Sequence, residues 1–585
     1  MKRLKVFSLI LLAFLVISVP AFSQQFSNTG KKIIEYGWDV PTPEYLKAHI
    51  ASMEKYPFDG LVFRINSATI GSSFDTKPWP EANLKALEVD LKAIKWSKYK
   101  SNFLCLYAAS DFGMNWFDDV QWKIVLDNAR ASARLAKAAK CVGVVFDPEP
   151  YGKDPWSYPG DYANRPFAEV AKQARLRGKQ WIQALQEKWP NMHLLLFYFF
   201  PSQTEAPYFK LLGAFCNGLV EGSSNKAKII NGNEFSYYHT EPQSYINDWK
   251  TMREVGPTQI DPKLKNKYNQ IVQAGMALYM DQSLALRLPQ ANYISYYMTP
   301  EERLKYFEHS VYWAMKTTDE YVWCYSERLN WWEASFPAGA DNAIISARTK
   351  LESGKSLGYS LTEIVNRAKD RRDQEIADRI VKRFAVINKL PQGSAAPVID
   401  GKLDDAVWKS AKPMDRFVPA ASVPAGTAVA DTFAYAAYDD KNLYLAVDCS
   451  EPMMDKLVCT GSAKDSDVWN GDDIEIFIST TADTPYDNRH FILNPNNAQW
   501  DGKSPPENND VTWNADWQSA VSKNAASWTV EVAIPWSAIG GYPAVGTTRF
   551  ANIARARKPF DEWSSWSSVV DGFLDASKFG AWMFK

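Results

Sequence analysis

The stretch Gly143-Val144-Val145-Phe146-Asp147-Pro148-Glu149-Pro150-Tyr151 carries an apolar run of strand length to an abrupt end in two carboxylates, two prolines and a tyrosine. Alternate side chains of an extended chain share a face, so Asp147 and Glu149 point the same way, with Pro148 stiffening the backbone between them. Two carboxylates held close resist ionising together, which leaves one able to deliver a proton near neutral pH. That is general-acid chemistry, with Glu149 as the acid/base and Asp147 as the group that tunes it. A solvated strand end turning into a Pro-rich loop would use the same residues, so the decision rests on the remaining chain.

Other chemistries find little to work with. Five His and six Cys in 585 residues, with no C-x-x-C or H-x-x-x-H spacing, leave zinc without a ligand set. There is no G-x-S-x-G elbow, P-loop or Rossmann glycine fingerprint. A net charge of -1 gives no electrostatic footprint for nucleic acid or an anionic membrane. Residues 1–23 join Lys2, Arg3 and Lys5 to an apolar run and a small-x-small site at Ala21 to Ser23, the pattern of a secretory signal peptide. No later stretch is apolar for long enough to span a bilayer, so the expected product is exported, to the medium or a periplasm. Export permits disulfides, and Cys449 with Cys459 is the one pair whose setting invites one. Aromatic residues are abundant, with 23 Trp, 28 Tyr and 30 Phe. Such rings stack on the apolar faces of sugars, although cores use them too.

What must position Asp147 and Glu149 is a series of short apolar runs alternating with helical stretches over 32–338. Strands are expected at 33–40, 60–65, 102–111, 143–149, 193–200, 276–281 and 320–327, with the sixth at either 217–221 or 234–238. Eight such units predict a (β/α)8 barrel of the TIM type, with an open doubly wound sheet as the alternative. Chemistry in a barrel sits where strands end, which nominates Asp39, Arg64, Asp111, Asp147 with Glu149, Tyr198, Asp281 and Glu327 as an acidic rim. Trp38, Trp116, Trp156, Trp331 and Trp332 fall at or just past the same ends. Helical sequence over 339–387 is expected to pack on the barrel, and a Pro/Gly/Ser/Ala connector at 388–397 marks a boundary.

From 398 to 585 short alternating strands replace helices, as in an all-β antiparallel sandwich. Ile399 to Trp408, Val468 to Phe477, Trp528 to Trp536 and Lys578 to Gly580 resemble the ordered motifs of carbohydrate-binding module family 9. That resemblance implies a sugar held between two tryptophans, Trp469 and Trp566, with Trp563 as the alternative to the second. It further implies contacts from Glu475 and Asn494, and room for a structural calcium. An insertion over 495–517 departs from the family. The Asp-x-Glu of 147–149 is similar to the catalytic strand of family 18 chitinases, except that Val145 stands where those enzymes carry a further Asp.

The combined reading is a secreted glycoside hydrolase acting on a poly- or oligosaccharide without cofactor or catalytic metal. Glu149 is the acid/base, Glu327 the first choice for nucleophile or water-activating base, Asp281 the second and Glu234 the third. Asp39, Arg64, Tyr198, Asp281 and Trp331 are assigned to sugar hydroxyls and faces. The alternative is a non-catalytic glycan-binding protein of a polysaccharide-utilisation system, and a barrel lyase or deacetylase is a third possibility.

Overall fold

The computed structural model describes residues 26–585 apart from 66–69, 71, 109–112, 152, 203–206, 288–292, 422, 424–428, 505–509, 511 and 571. The proposed signal peptide and Asp111 therefore lie outside the described residues. The chain forms two compact units. The first ends at Asp281 and resumes over Leu304–Ser360; the second comprises Gln282–Arg303 and Leu361–Lys585.

Nine parallel strands organise the first unit: β1 (Lys32–Gly37), β2 (Gly60–Phe63), β3 (Phe103–Tyr107), β4 (Gly143–Asp147), β5 (His193–Leu196), β6 (Lys228–Asn231), β7 (Val272–Ala274), β8 (Met276–Tyr279) and β9 (Tyr321–Ser326). Their order is β7-β6-β5-β4-β3-β2-β1-β9-β8. Only Gly275 separates β7 from β8, yet β7 pairs with β6 and β8 with β9, at opposite ends of that order. The two pieces are one interrupted strand that brings the ends together, which makes the sheet barrel-like. The break needs glycine, because a Cβ at position 275 would stand 2.7 Å from the Asn231 carbonyl oxygen.

The strands are apolar at successive positions because both faces are covered. One face fills the lumen with Ile34, Tyr36, Val62, Phe103, Cys105, Val145, Leu195, Ile230, Tyr279 and Trp323, joined by Phe197 just past β5. The other face, including Ile33, Leu61, Leu104, Val144 and Ile229, is buried as well. Helices between the strands bury stripes at helical spacing. Trp122, Val125, Ala129, Ser132 and Leu135 of Asp119–Ala138 are buried, and the Asp118 carboxylate caps that helix by accepting from the Val120 and Gln121 amides.

The sixth strand is neither of the segments expected. Residues 217–221 lie in the helix Leu212–Gly222, whose buried Leu212, Phe215, Cys216, Leu219 and Val220 follow a 3.6-residue period rather than alternation. Residues 234–238 form a 3₁₀ turn. The true strand, Lys228–Asn231, offers only two aliphatic residues as signal. The seventh expectation also shifts, since Asp281 sits in the short helix Met280–Leu284.

In the second unit one sheet carries most of the chain, and it is mixed rather than purely antiparallel. The strand Phe384–Lys389 runs parallel to both of its neighbours, Thr432–Tyr438 and Gly580–Phe584. The remaining pairings, such as Asn442–Ser450 with Ser527–Pro535 and Asp473–Ser479 with Thr548–Arg557, are antiparallel. Strands from both ends of the sheet feed one apolar cluster, including Ile476, Phe491, Leu445, Val532, Trp528 and Trp582. All six cysteines are free, so Cys449 and Cys459 are not bridged.

Candidate functional sites

At the carboxyl end of the first unit's strands, β4 turns Asp147 toward the lumen two positions after Val145, and Glu149 follows two positions later. The Asp147 carboxylate accepts the Glu149 amide at 2.9 Å and is 2% exposed. Burial, reinforced by the charges of Glu149 and Glu234, pushes its pKa well above the carboxylate range. Glu149 is half-buried, and loss of solvent raises its pKa against the lowering effect of a hydrogen bond from Tyr198.

Tyr198, just past β5, is the hinge of the arrangement. Its hydroxyl donates to Glu149 Oε1 at 3.2 Å and also bonds the Glu234 side chain. Desolvation raises Glu234 to a pKa of about 7, the nearby Glu149 charge adding to the rise and Tyr198 opposing it. A phenol has one proton and two carboxyls to serve. Below about pH 7 a protonated Glu234 donates to the Tyr198 oxygen while the Tyr198 proton goes to Glu149, an unbroken path for a proton between two acids. Each acid touches the same oxygen, so their nearest oxygens lie within roughly 7 Å, inside the span of paired glycosidase carboxylates.

Glu327 enters from β9. The Tyr279 hydroxyl donates to its Oε1 at 3.2 Å, and its amide is held at 2.6 Å by Asp281 Oδ2. Glu327, Glu234 and Glu149 all act on the Tyr325 hydroxyl and raise its pKa, although desolvation is the larger cause. That hydroxyl also accepts a hydrogen bond from Trp38 Nε1 at 3.0 Å. Rings of Tyr36, Tyr237, Tyr279 and Tyr325 stack beneath the acids, with Tyr237 and Tyr325 5.8 Å apart and within 7° of parallel. Every exposed large aromatic of the first unit among the described residues, Trp38, Tyr151, Tyr208, Phe235 and Tyr238, follows the carboxyl end of a strand.

Several residues assigned to sugar from sequence serve the scaffold instead. Asp281 is fully buried, and its carboxylate accepts the Ser326 hydroxyl and the Glu327 amide, so it fixes the loop that carries Glu327. Trp331 is fully buried against Phe58 and Phe336. Trp116 and Trp156 are likewise buried, and Trp156 pins the Asp147–Glu149 turn by donating to the Pro148 carbonyl. Asp39 accepts the Trp331 amide at 2.9 Å, and its carbonyl accepts Trp332 Nε1 at 3.0 Å. Arg64 is half-buried and bonds the Tyr107 hydroxyl at the end of β3. Glu234, ranked third from sequence, proves to be the acid coupled to Glu149, because the residues after β6 carry it back over the lumen.

Beside Asp39 lies Glu35, a fully buried carboxyl that sequence reasoning passed over. No N–H or O–H of the described residues reaches either of its oxygens; the group facing it is Asp39, so the pair coheres by sharing a proton. Burial lifts Glu35 well above the carboxylate range and moves Asp39 from 3.8 to about 6.

The second unit has its own cavity, of about 750 Å³, lined by Trp469, Trp500, Trp563, Phe573, Glu475 and His490. His490 Nε2 lies 2.7 Å from Glu475 Oε2, and the His490 ring stacks on Phe477 at 4.1 Å. Trp563 is the second tryptophan here. Trp566, three residues on, faces the opposite side of the sheet and is buried in the core. Asn494 is also corrected: it is fully buried, donating to the Thr460 and Gly461 carbonyls and accepting from the Asn496 and Ala498 amides. Among the described residues no group of three or more His, Cys, Asp or Glu could hold a metal ion, and no helix is long and apolar enough to cross a membrane.

Residues 399–585 match the family model described as carbohydrate family 9 binding domain-like. No curated protein matches the chain. Among solved structures, a family 9 module from Caldicellulosiruptor kristjanssonii in complex with cellotriose is 17% identical, covers 35% of this chain and 94% of its own, and has a TM-score of 0.26. A Bacteroidetes-affiliated GH5 cellulase linked with a polysaccharide utilization locus is 10% identical over 58% of this chain and 96% of its own, with a TM-score of 0.33. A GH18 chitinase from Pseudoalteromonas aurantia is 12% identical over 54% and 100%, with a TM-score of 0.29. Likenesses at these scores say nothing about activity.

Two outcomes follow from these contacts. Folded-state pKa values of Glu35 and Asp39 lie above their unfolded values, so their contribution to stability is full below about pH 4; that of Asp39 is lost as pH rises through about 6, and that of Glu35 as pH rises through its own raised pKa. For Asp39, a rise from 3.8 to about 6 corresponds to on the order of 3 kcal/mol. Glu35→Gln, which supplies an amide donor to Asp39, should raise the melting temperature at pH 7 and flatten its dependence between pH 4 and 7; an unchanged slope would refute the shared proton. In the second cavity, Trp563→Ala should weaken glycan binding by the full-length protein roughly tenfold or more in calorimetric titration, and Trp566→Phe by less than about twofold. Equal losses from both would reject the assignment.

Proposed function

We propose that the chain is a secreted glycoside hydrolase whose first unit cleaves a glycosidic bond by carboxylate acid/base catalysis and whose second unit is a saccharide-binding β-sandwich. The observation that carries the first half is the hydrogen-bonded bridge from Glu149 through Tyr198 to Glu234 at the mouth of an aromatic lumen. Glu149, the less buried of the two, protonates the leaving oxygen, and Glu234 resupplies it through the phenol. Glu327, oriented by Tyr279, acts as nucleophile or water-activating base. Burial disfavours the charged form of Asp147, which limits the negative charge buried at the site. The exposed aromatics at the strand ends offer faces on which successive sugar rings stack.

Supporting the second half is the match of 399–585 to a carbohydrate-binding family, together with a cavity that sets Trp469 and Trp563 around a buried acid–imidazole pair. A capture module of this kind raises the local concentration of polymer at a tethered active site. Export is expected from the leader pattern at 1–23. A purely glycan-binding protein would share the aromatic faces but would have no need of acids held near neutrality, and it is the acids that favour hydrolysis.

Glu149→Gln should remove hydrolysis of a responsive glycan, by about 10³-fold or more in kcat, while glycan binding and melting temperature stay as in wild type. Retained turnover, read by reducing-end release, would eliminate Glu149 as the acid. The alkaline limb of kcat/KM is expected near pH 7, where Glu234 loses its proton. Glu234→Gln removes that titration, so the limb near pH 7 should be lost from the profile; a limb that stays in place would disconnect Glu234 from proton delivery.

A further inference from the structure

Beside Tyr198, on the flank of the lumen, a cavity of about 340 Å³ opens between the ends of β5 and β6 and the irregular helical turns of 251–259. Its size falls within the range of small-ligand pockets, roughly 300–1,000 Å³. Phe199, Phe200, Phe235 and Tyr268 supply aromatic walls, and Asn231, Asn233, Asp248 and Gln259 bring polar groups to the same space. Among the described residues neither Lys nor Arg lines it.

The polar groups are built in rather than draped over a surface. Asn231 and Asn233 are more than nine-tenths buried. Asp248 Oδ2 accepts Asn233 Nδ2 at 2.7 Å and lies 2.6 Å from His239 Nε2, so the carboxylate is clamped from two sides. The backbone pays for this arrangement in two places. Asn233 adopts φ 50°, the left-handed region, and Thr251–Val255 winds as a π-helix, a wide turn that occurs mostly where function demands it. At Gly256 a Cβ would stand 2.3 Å from the Tyr268 hydroxyl, so only glycine lets that ring close the back wall.

We infer that this cavity is a subsite for one neutral pyranose ring adjoining the bond-cleaving carboxylates. Aromatic walls match the apolar faces of a sugar ring, while two amides, a third from Gln259 and the Asp248 carboxylate match its hydroxyls, which both donate and accept. A uronate or a sulfated sugar would bring a second negative charge beside Asp248 with no cation to receive it, and is excluded on that ground. The position follows from Tyr198 and Phe235, which line the cavity while Tyr198 bonds the two acids, so a ring held there is the near neighbour of the ring being attacked. Its standing as part of a cleft rests on the glycosidase reading; its ability to hold a sugar does not.

The test is binding without turnover. Full-length protein carrying Trp469→Ala, which disables the second unit's cavity, is titrated with the methyl glycosides of glucose, galactose, mannose and glucuronic acid. At least one neutral glycoside should bind at least tenfold more tightly than the glucuronide. Gln259→Trp, a change at an exposed position of the rim that fills the cavity, should weaken that binding at least tenfold with an unchanged melting temperature, and Asp248→Asn should narrow the discrimination against the glucuronide. Absence of binding by every neutral glycoside, equal affinity for the glucuronide, or indifference to Gln259→Trp would overturn the subsite. Because hydrolysis is never read, a Glu149→Gln protein that still turned over substrate would sink the glycosidase reading and leave this result standing.

Discussion

A carboxylate removed from water keeps its charge only where donors reach it, and the first unit has more acids at its mouth than donors to serve them. Glu149 and Glu234 both act on the single hydroxyl of Tyr198, and among the described residues the Asp147 carboxylate is served by the Glu149 amide. Scarcity of donors therefore forces protons onto some of the acids at neutral pH. The aromatic lumen enforces it. Tyr36, Tyr237, Tyr279 and Tyr325 occupy the volume that water would need, and their ring faces, being electron-rich, do nothing to favour an anion. The same packing that closes the barrel-like sheet also tunes its acids.

Much of this was legible in the chain before folding was considered. Runs of strand length ending in acids at 147–149 and 327 identified the rim, because a buried parallel strand must be apolar throughout and the first polar residue marks its exit. What failed was local in each case. Lys228–Asn231 carries too few apolar residues to announce a strand, and the apolar residues of 212–220 had to be counted by period to reveal a helix. That error left Glu234 third in rank, since its place over the lumen follows only from the strand before it. Trp331 and Asp281, assigned to sugar, are buried instead, because residue type near a strand end does not say which way a loop turns it.

In the second unit Trp469 and Glu475 of the motifs line the cavity, and alternation along a strand separates the two tryptophans that sequence left open. Trp563 and Trp566 are an odd number apart, so only one can face the cavity, and Trp566 belongs to the core. Asn494 illustrates the opposite hazard. Its amide is saturated by four backbone groups, a role that looks in sequence like that of any polar residue near a binding loop. The strand Phe384–Lys389 corrects the expectation of helix up to 387 and a connector from 388; it was invisible because its pairing partners on both sides lie far away in the chain.

The interruption at Gly275 gives the ring of strands a seam. Three residues ladder to one side and four to the other, across a residue that contributes no side chain to either layer. Cohesion around the circumference is therefore uneven at this junction. The strands that flank it lead into Glu234, after β6, and Glu327, after β9, and Glu327 is held by Tyr279 of β8, so any give at the seam is felt by both acids.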